Sequence, residues 1–231
     1  MSVYEMIAWY GVFVVSTTVH EFAHAFVAKR GGDLTAYLGG QVSLDPIPHI
    51  RREPLGMIVF PVISLLVFKW PFGYASAPYD PYWAMSYPRR AARMAVAGPA
   101  SNFLIVLICM VLGRLGVALD FFSMPPLVRE ILDPIVVANG GGIDKGLAYL
   151  ISIFFTMNLI LTVLNLIPLP PLDGSQILLF FLSDERAHRY QQILWHPTFG
   201  IVGLVLAWQV FDPLFRVVKL GVVALMYLGH G

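Results

Sequence analysis

Charge is scarce in this sequence. Of its 231 residues only 13% are Asp, Glu, Lys or Arg, while 58% are hydrophobic, and the mean hydropathy is +0.72. A soluble domain carries about a quarter of its residues as charges, so this balance excludes an ordinary soluble domain and points to an integral membrane protein. Cysteine is nearly absent. The single Cys109 excludes an intramolecular disulfide and a cysteine-built zinc site, and reads as a small apolar residue on a helix. No excess of one charge sign exists either. The net charge of +1 gives no footprint for nucleic acid, and the Lys and Arg residues fall in short clusters between apolar runs, as loops facing an anionic leaflet do. Repeats, low-complexity tracts and a soluble domain are not visible, so one membrane-embedded domain accounts for residues 1–231, with a core over 6–182 and C-terminal membrane segments over 197–229.

Long apolar runs are what the chain does have. A bilayer core about 30 Å thick needs roughly 20 apolar helical residues, and four stretches qualify: Met6 to Ala28, Ala91 to Leu112 with a possible extension to Leu119, Leu147 to Ile167, and Phe199 onward. The last is interrupted by Asp212 and Pro213 and reads as one span or two. The first lacks the basic start of a signal peptide and carries Ser16, Thr17 and Thr18 within it, so it is expected to be retained. A fifth run, Pro54 to Phe68, is short and has Pro61 in its middle; a kinked piece of this length is expected to dip into the bilayer or lie on it. In LTAYLGGQVSLDP the alternation around Gly39 and Gly40 predicts a short β-hairpin over residues 34–44. The fold class is therefore an all-α polytopic membrane protein: a compact bundle of about four to five transmembrane helices, with a short hairpin and a re-entrant or interfacial segment.

Inside the first run lies HEFAH, His20 to His24. Residues four apart share a helix face, so His20 and His24 can hold one metal ion through ring nitrogens. Glu21 is offset by about 100°, placed to act on a metal-bound water without ligating the ion. This is the two-ligand-and-base logic of HExxH, in which zinc lowers the pKa of its water to about 7 and the carboxylate takes the proton. Five-residue matches of this kind arise by chance in charged soluble helices. Within a spanning segment, ionisable side chains cost several kcal/mol and are functional by default.

Catalytic zinc takes three protein ligands and leaves one position open. The best third candidate is Asp173 in NLIPLPPLDG, Asn165 to Gly174, where Pro168, Pro170 and Pro171 end a helix and free backbone carbonyls that lipid tolerates only around a cavity. Asp173 has a second reading, as the first residue of an Asp-x-x-Gln capping box with Gln176 for a helix running to Leu182.

Three motifs in order, HEFAH, AGPASN (Ala97 to Asn102) and NLIPLPPLDG, together resemble the site-2 protease family of intramembrane zinc metalloproteases. The resemblance covers the first span to about Leu182. It implies that His20, His24 and Asp173 bind one zinc ion, that Glu21 is the catalytic base, and that Asn165 holds substrate or its oxyanion. It also implies a core in which the Gly98-Pro99 helix packs between the two metal-bearing helices. The substrates would be transmembrane proteins, cut in the bilayer. The small residues around Gly98 also suit close helix packing in lipid; Asn102 could add a polar contact and is assigned no chemical role. The chain resembles a minimal form, without an inserted PDZ-type or regulatory domain, and gives no indication of oligomeric state.

Parity fixes the expected topology. For the three ligands to meet, the chain must cross an even number of times between them, so the run at 54–68 is not a span. Lys29, Arg30, Arg51, Arg52, Lys69, Arg89, Arg90 and Arg93 then share one face, the cytoplasmic one by the positive-inside rule, in a bacterial-type membrane. The hairpin at 34–44 could receive an unwound substrate by strand addition, or simply connect. Aromatics from Trp70 to Trp83 suit interfacial anchoring. His49 is expected to be solvated, and His188, His196 and His230 have no role. Two other classes remain open, a zinc transporter or sensor and a non-cleaving protease-like scaffold.

Overall fold

The computed structural model describes residues 1–228; His230 and the last residue of the C-terminal segment expected at 197–229 lie outside the described residues. In chain order the helices are α1 (Val3–Arg30), α2 (Thr35–Leu38), α3 (Pro46–Arg52), a π-helical turn (Leu55–Val59) leading into α4 (Phe60–Phe68), α5 (Pro81–Ser86) and α6 (Pro88–Ala118). After the strands β1 (Phe122–Ser123) and β2 (Val137–Ala138) come α7 (Ile143–Leu166), α8 (Asp173–Ile177) with a 3-10 turn (Leu178–Phe181), α9 (Asp184–Leu194) and α10 (Pro197–Met226). Among the described residues, α1, α6, α7 and α10 are long and apolar enough to cross a membrane. These are the four stretches expected from hydropathy. α10 is one helix that passes through Pro213, with the adjacent Asp212 carboxylate accepting from Arg216 Nε at 3.0 Å; the interrupted C-terminal run is a single span.

The ends of α1 follow from its sequence. Ser2 Oγ accepts from the Glu5 N–H while the Glu5 carboxylate accepts from the Ser2 N–H, a capping box. At the other end Lys29 and Arg30 face the helix dipole before Gly31. α6 packs against α1 on one side and α7 on the other, and Ala91, Ala92, Ala95 and Gly98 are buried in it, as helices that approach closely in lipid require. The main apolar cluster joins α6, α7 and α10 through Val106, Cys109, Phe155, Leu159, Phe211 and Phe215. Cys109 is thus the small apolar filler its isolation suggested.

The hairpin expected at 34–44 is a helical turn, α2. Asp33 accepts from the backbone N–H and the hydroxyl of Thr35, which starts the turn. Gly40 at φ +76° ends it, with Gln41 N–H donating to Ala36 O and Gly40 N–H to Tyr37 O, the paired bonds of a Schellman cap. Ala36 is buried and α2 packs on α1. Among the described residues the strands are β1 and β2 alone, an antiparallel pair in the loop between α6 and α7. Strand addition at 34–44 therefore has no edge to use.

The run at 54–68 is a short helical limb whose chain turns back at Lys69, φ 66°. On the return, Phe72 N–H donates to Ser64 Oγ at 2.7 Å and Tyr74 N–H to Gly56 O at 3.1 Å. Leu65 joins a cluster with Trp9, Val12 and Phe13 of the N-terminal half of α1. The limb thus runs antiparallel to α1 and comes back, a helical hairpin of the kind expected for a re-entrant or interfacial segment. Its tip carries Lys69 away from the Arg30 end, so Lys69 does not belong with the other basic residues. Of the aromatics that follow, Phe72, Tyr74 and Tyr82 are exposed, Phe72 meeting Trp208 of α10 edge to face, while buried Trp83 donates its indole N–H to Gly31 O.

Candidate metal centre

Two crossings, α6 and α7, separate His20 and His24 from Asp173, and they bring the three side chains together. The His20 Nε2, His24 Nε2 and Asp173 Oδ2 atoms lie 3.0 to 3.2 Å from one another. Among the described residues this is the group of His, Cys, Asp and Glu side chains that could hold a metal ion. The histidine side chains are 7% and 8% exposed and that of Asp173 is 19% exposed, so the carboxylate forms the open side. From Arg30, His24 and His20 lie six and ten residues back along α1, roughly 9 to 15 Å at the helical rise.

Each imidazole has its second nitrogen occupied. His20 Nδ1 lies 2.5 Å from Asn102 Oδ1, and His24 Nδ1 lies 2.7 Å from the Met94 carbonyl, both on α6. An Nδ1–H donated to oxygen leaves the Nε2 lone pair free, the arrangement in which histidine binds metals. The donor chemistry, two imidazole nitrogens and one carboxylate with room for a fourth partner, fits zinc.

Gly98 shows how close α6 comes. A Cβ at this position would collide with the Nε2 atoms of both histidines. AGPASN therefore does more than permit helix contact: its glycine clears the rings and its asparagine meets one of them. The polar contact that Asn102 could add is made, and its partner, which the sequence did not name, is a histidine ring. The available signal was a buried amide in mid-span, which needs partners.

Glu21 is buried, 5% exposed, and among the described residues no side-chain hydrogen bond ties its carboxylate. Asp173 stands at the first turn of α8 with Leu172 as the cap residue, and no side chain caps that helix. The capping-box reading of Asp173 is thereby replaced: its carboxylate faces the histidines, and Gln176 donates instead to Tyr79 Oη. Asn165, near the end of α7, donates its amide back to Leu161 O at 3.0 Å. His49 is not solvated as expected. It is 1% exposed, with Nε2 at 3.0 Å from the Ser43 carbonyl, on a helix, α3, that packs against α1 and the π-helical turn.

A helical membrane bundle holding two histidines and a carboxylate at one buried point has the architecture of a membrane metalloprotein. The chain belongs to Peptidase family M50, which residues 8–206 match, the family that its three motifs resemble. It is 34% identical over 166 residues to YwhC of Bacillus subtilis, a protein provisionally named a zinc metalloprotease, covering 71% of this chain and 64% of that one. Rip2 of Mycobacterium tuberculosis, likewise provisionally named a zinc metalloprotease, is 31% identical over 187 residues, 78% of this chain and 61% of that one. The protease RseP of Photorhabdus luminescens is 28% identical over 152 residues, 64% of this chain and 61% of that one. The chain thus spans less than two thirds of the length of these relatives. No solved structure gives a significant match.

Proposed function

We propose that this chain is an intramembrane zinc metalloendopeptidase that hydrolyses peptide bonds in or near the transmembrane helices of membrane-bound substrates. The observation that carries the reading is the convergence of His20, His24 and Asp173 at bilayer depth with buried Glu21 next to them in the chain. His20, His24 and Asp173 would hold the ion, and zinc so bound supplies Lewis-acid activation of water and of the scissile carbonyl. Glu21, without a side-chain hydrogen bond among the described residues, would accept the proton of the attacking water on a carboxylate oxygen and pass it to the leaving amine. Asn165 stands on the last turn of α7 before the proline-rich segment and would steady the substrate backbone. The whole of 1–231 would act as one membrane-embedded unit.

Polar side chains lie in an oily run because the bonds to be cut lie at that depth. The basic residues at the Arg30 end, with Arg51, Arg52, Arg89, Arg90 and Arg93, favour the cytoplasm for that side. The site would then face the cytoplasmic half of a bacterial-type membrane, and the activity would serve regulated intramembrane proteolysis. A transporter would need ligand sites in series along a path, and the described residues offer one group. A scaffold that does not cut would have no use for Glu21.

The test is zinc content together with cleavage of transmembrane-helix substrates, measured on the purified chain, Glu21→Gln and Asp173→Asn. The expected result is about one zinc per chain in wild type and in Glu21→Gln, a sharply reduced content in Asp173→Asn, and cleavage by wild type alone. Zinc indifferent to Asp173, or cleavage surviving in Glu21→Gln, sinks the reading.

A further inference from the structure

The hydrogen bonds behind His20 continue through α6 into α7. Asn102 and Asn158 are both 0% exposed, and each amide offers one accepting oxygen and two N–H donors. Asn158 Nδ2 donates to Ser16 Oγ at 2.9 Å and to the Phe154 carbonyl at 2.8 Å. Both of its donors are thereby used, and its Oδ1 is what it presents to Asn102. Asn102 Nδ2 donates to that oxygen at 2.7 Å and to the Ser16 carbonyl at 3.2 Å. Its own Oδ1 is left for His20 Nδ1. Turning the Asn102 amide over would set oxygen against oxygen at both of its other contacts, a costly arrangement in a buried, low-dielectric interior.

The direction of every bond in this chain is therefore set from α7. We infer that Asn158, which has no hydrogen bond to either histidine, is a positioning residue of the metal centre. By fixing the Asn102 amide it holds the His20 ring proton on Nδ1 and leaves the Nε2 lone pair aimed at the site. Ser16, bound through both its hydroxyl and its carbonyl, locks the same network to the helix that carries the histidines. This rests on the proposal that His20 is a zinc ligand.

The test is zinc affinity by chelator competition on the full chain in detergent, for wild type, Asn102→Leu, Asn158→Leu, the double variant and Asn102→Asp. Each single leucine variant is expected to bind zinc about 10–100-fold more weakly. The double variant should be no weaker than the worse single one, because both act through one ring. Asn102→Asp still offers His20 an acceptor and should retain tighter binding than Asn102→Leu. Wild-type affinity in Asn158→Leu, or losses that simply multiply in the double variant, overturns the inference. Should Asn158→Leu fail to fold, the ¹⁵N resonances of His20 in metal-free wild type decide: a proton on Nδ1 supports the inference, and one on Nε2 overturns it. Absence of zinc from wild type would strike the proposed function instead.

Discussion

Among the described residues, side chains able to carry a charge at neutral pH are buried in the spans at two places, and they are wired in opposite ways. At the metal centre, His20, His24 and Asp173 turn their functional atoms toward one another, with outside partners only on the Nδ1 side of each ring. At the other place Lys219 of α10, 2% exposed, donates its ammonium hydrogens to the carbonyls of Glu130, Ile131 and Asp133 at 2.7 to 3.1 Å. An ammonium has three donors and no acceptor, so Lys219 is saturated: it clamps the loop between α6 and α7 onto α10 and has nothing left for chemistry. A charge inside a span is costly wherever it sits. What separates a site from a clamp is whether the group's bonding capacity is spent on the fold or held in reserve.

The sharpest way to break that contrast is at Gly98. Alanine in mid-helix ordinarily stabilises by up to about 1 kcal/mol over glycine, so a destabilising Gly98→Ala can come only from the contact its Cβ makes. Both histidine rings stand in the way, and neither can yield freely because Asn102 and the Met94 carbonyl hold their far sides. The expected outcome is loss of zinc together with a destabilisation of about 1–3 kcal/mol from overpacking, read by metal content and by thermal unfolding in detergent. Full zinc content in Gly98→Ala would mean that α6 does not press on the rings.

Legibility in the sequence divides along similar lines. The convergence of HEFAH and Asp173 can be read because a metal site would need fixed residue types, one pair of them at fixed helical spacing, and the spans because lipid sets their length. Parity then correctly demotes the run at 54–68. The turn at 34–44 cannot be read, because over five residues the spacing of Leu34, Ala36 and Leu38 suits a strand and a helical turn alike; Asp33 and Gly40 decide it through bonds that need three dimensions. Lys69 is misplaced for a related reason, since a hairpin that enters and returns carries its tip to a different depth from its ends. Asn102, Asn158 and Lys219 escape because, the Phe154 carbonyl bonded by Asn158 apart, their partners lie 56 or more positions away. Sequence shows that such a group is present and expensive, but not what satisfies it.

Lys219→Met sharpens the comparison from the other side. Removing the ammonium leaves three backbone carbonyls of the 129–133 turn without their donor, which costs about 1–3 kcal/mol when such groups stay buried. Thermal unfolding should register that loss while zinc content stays at the wild-type level, because no bond of the clamp reaches the histidines. A Lys219→Met chain that folds as stably as wild type would show the clamp to be ornamental, and one that loses zinc would couple two regions that share no hydrogen bond.

The smallest expected effect belongs to Asp133, next to the clamp. Slight burial disfavours its ionised form, but the N–H groups of Glu130 and Arg129, each donating at 2.7 Å, and the nearby Lys219 outweigh this and hold its carboxyl below the usual carboxylate range. A pKa lowered on folding means that ionisation favours the folded state. That contribution is complete above the unfolded value of about 3.9, and disappears as pH falls through the lower folded value. The stability of wild type should therefore exceed that of Asp133→Asn at neutral pH, with the gap closing below about pH 4. A gap that is constant from neutral pH down to pH 3 would mean that the turn is held by shape alone, and that the charge of Lys219 is neutralised by carbonyl dipoles without help from a carboxylate.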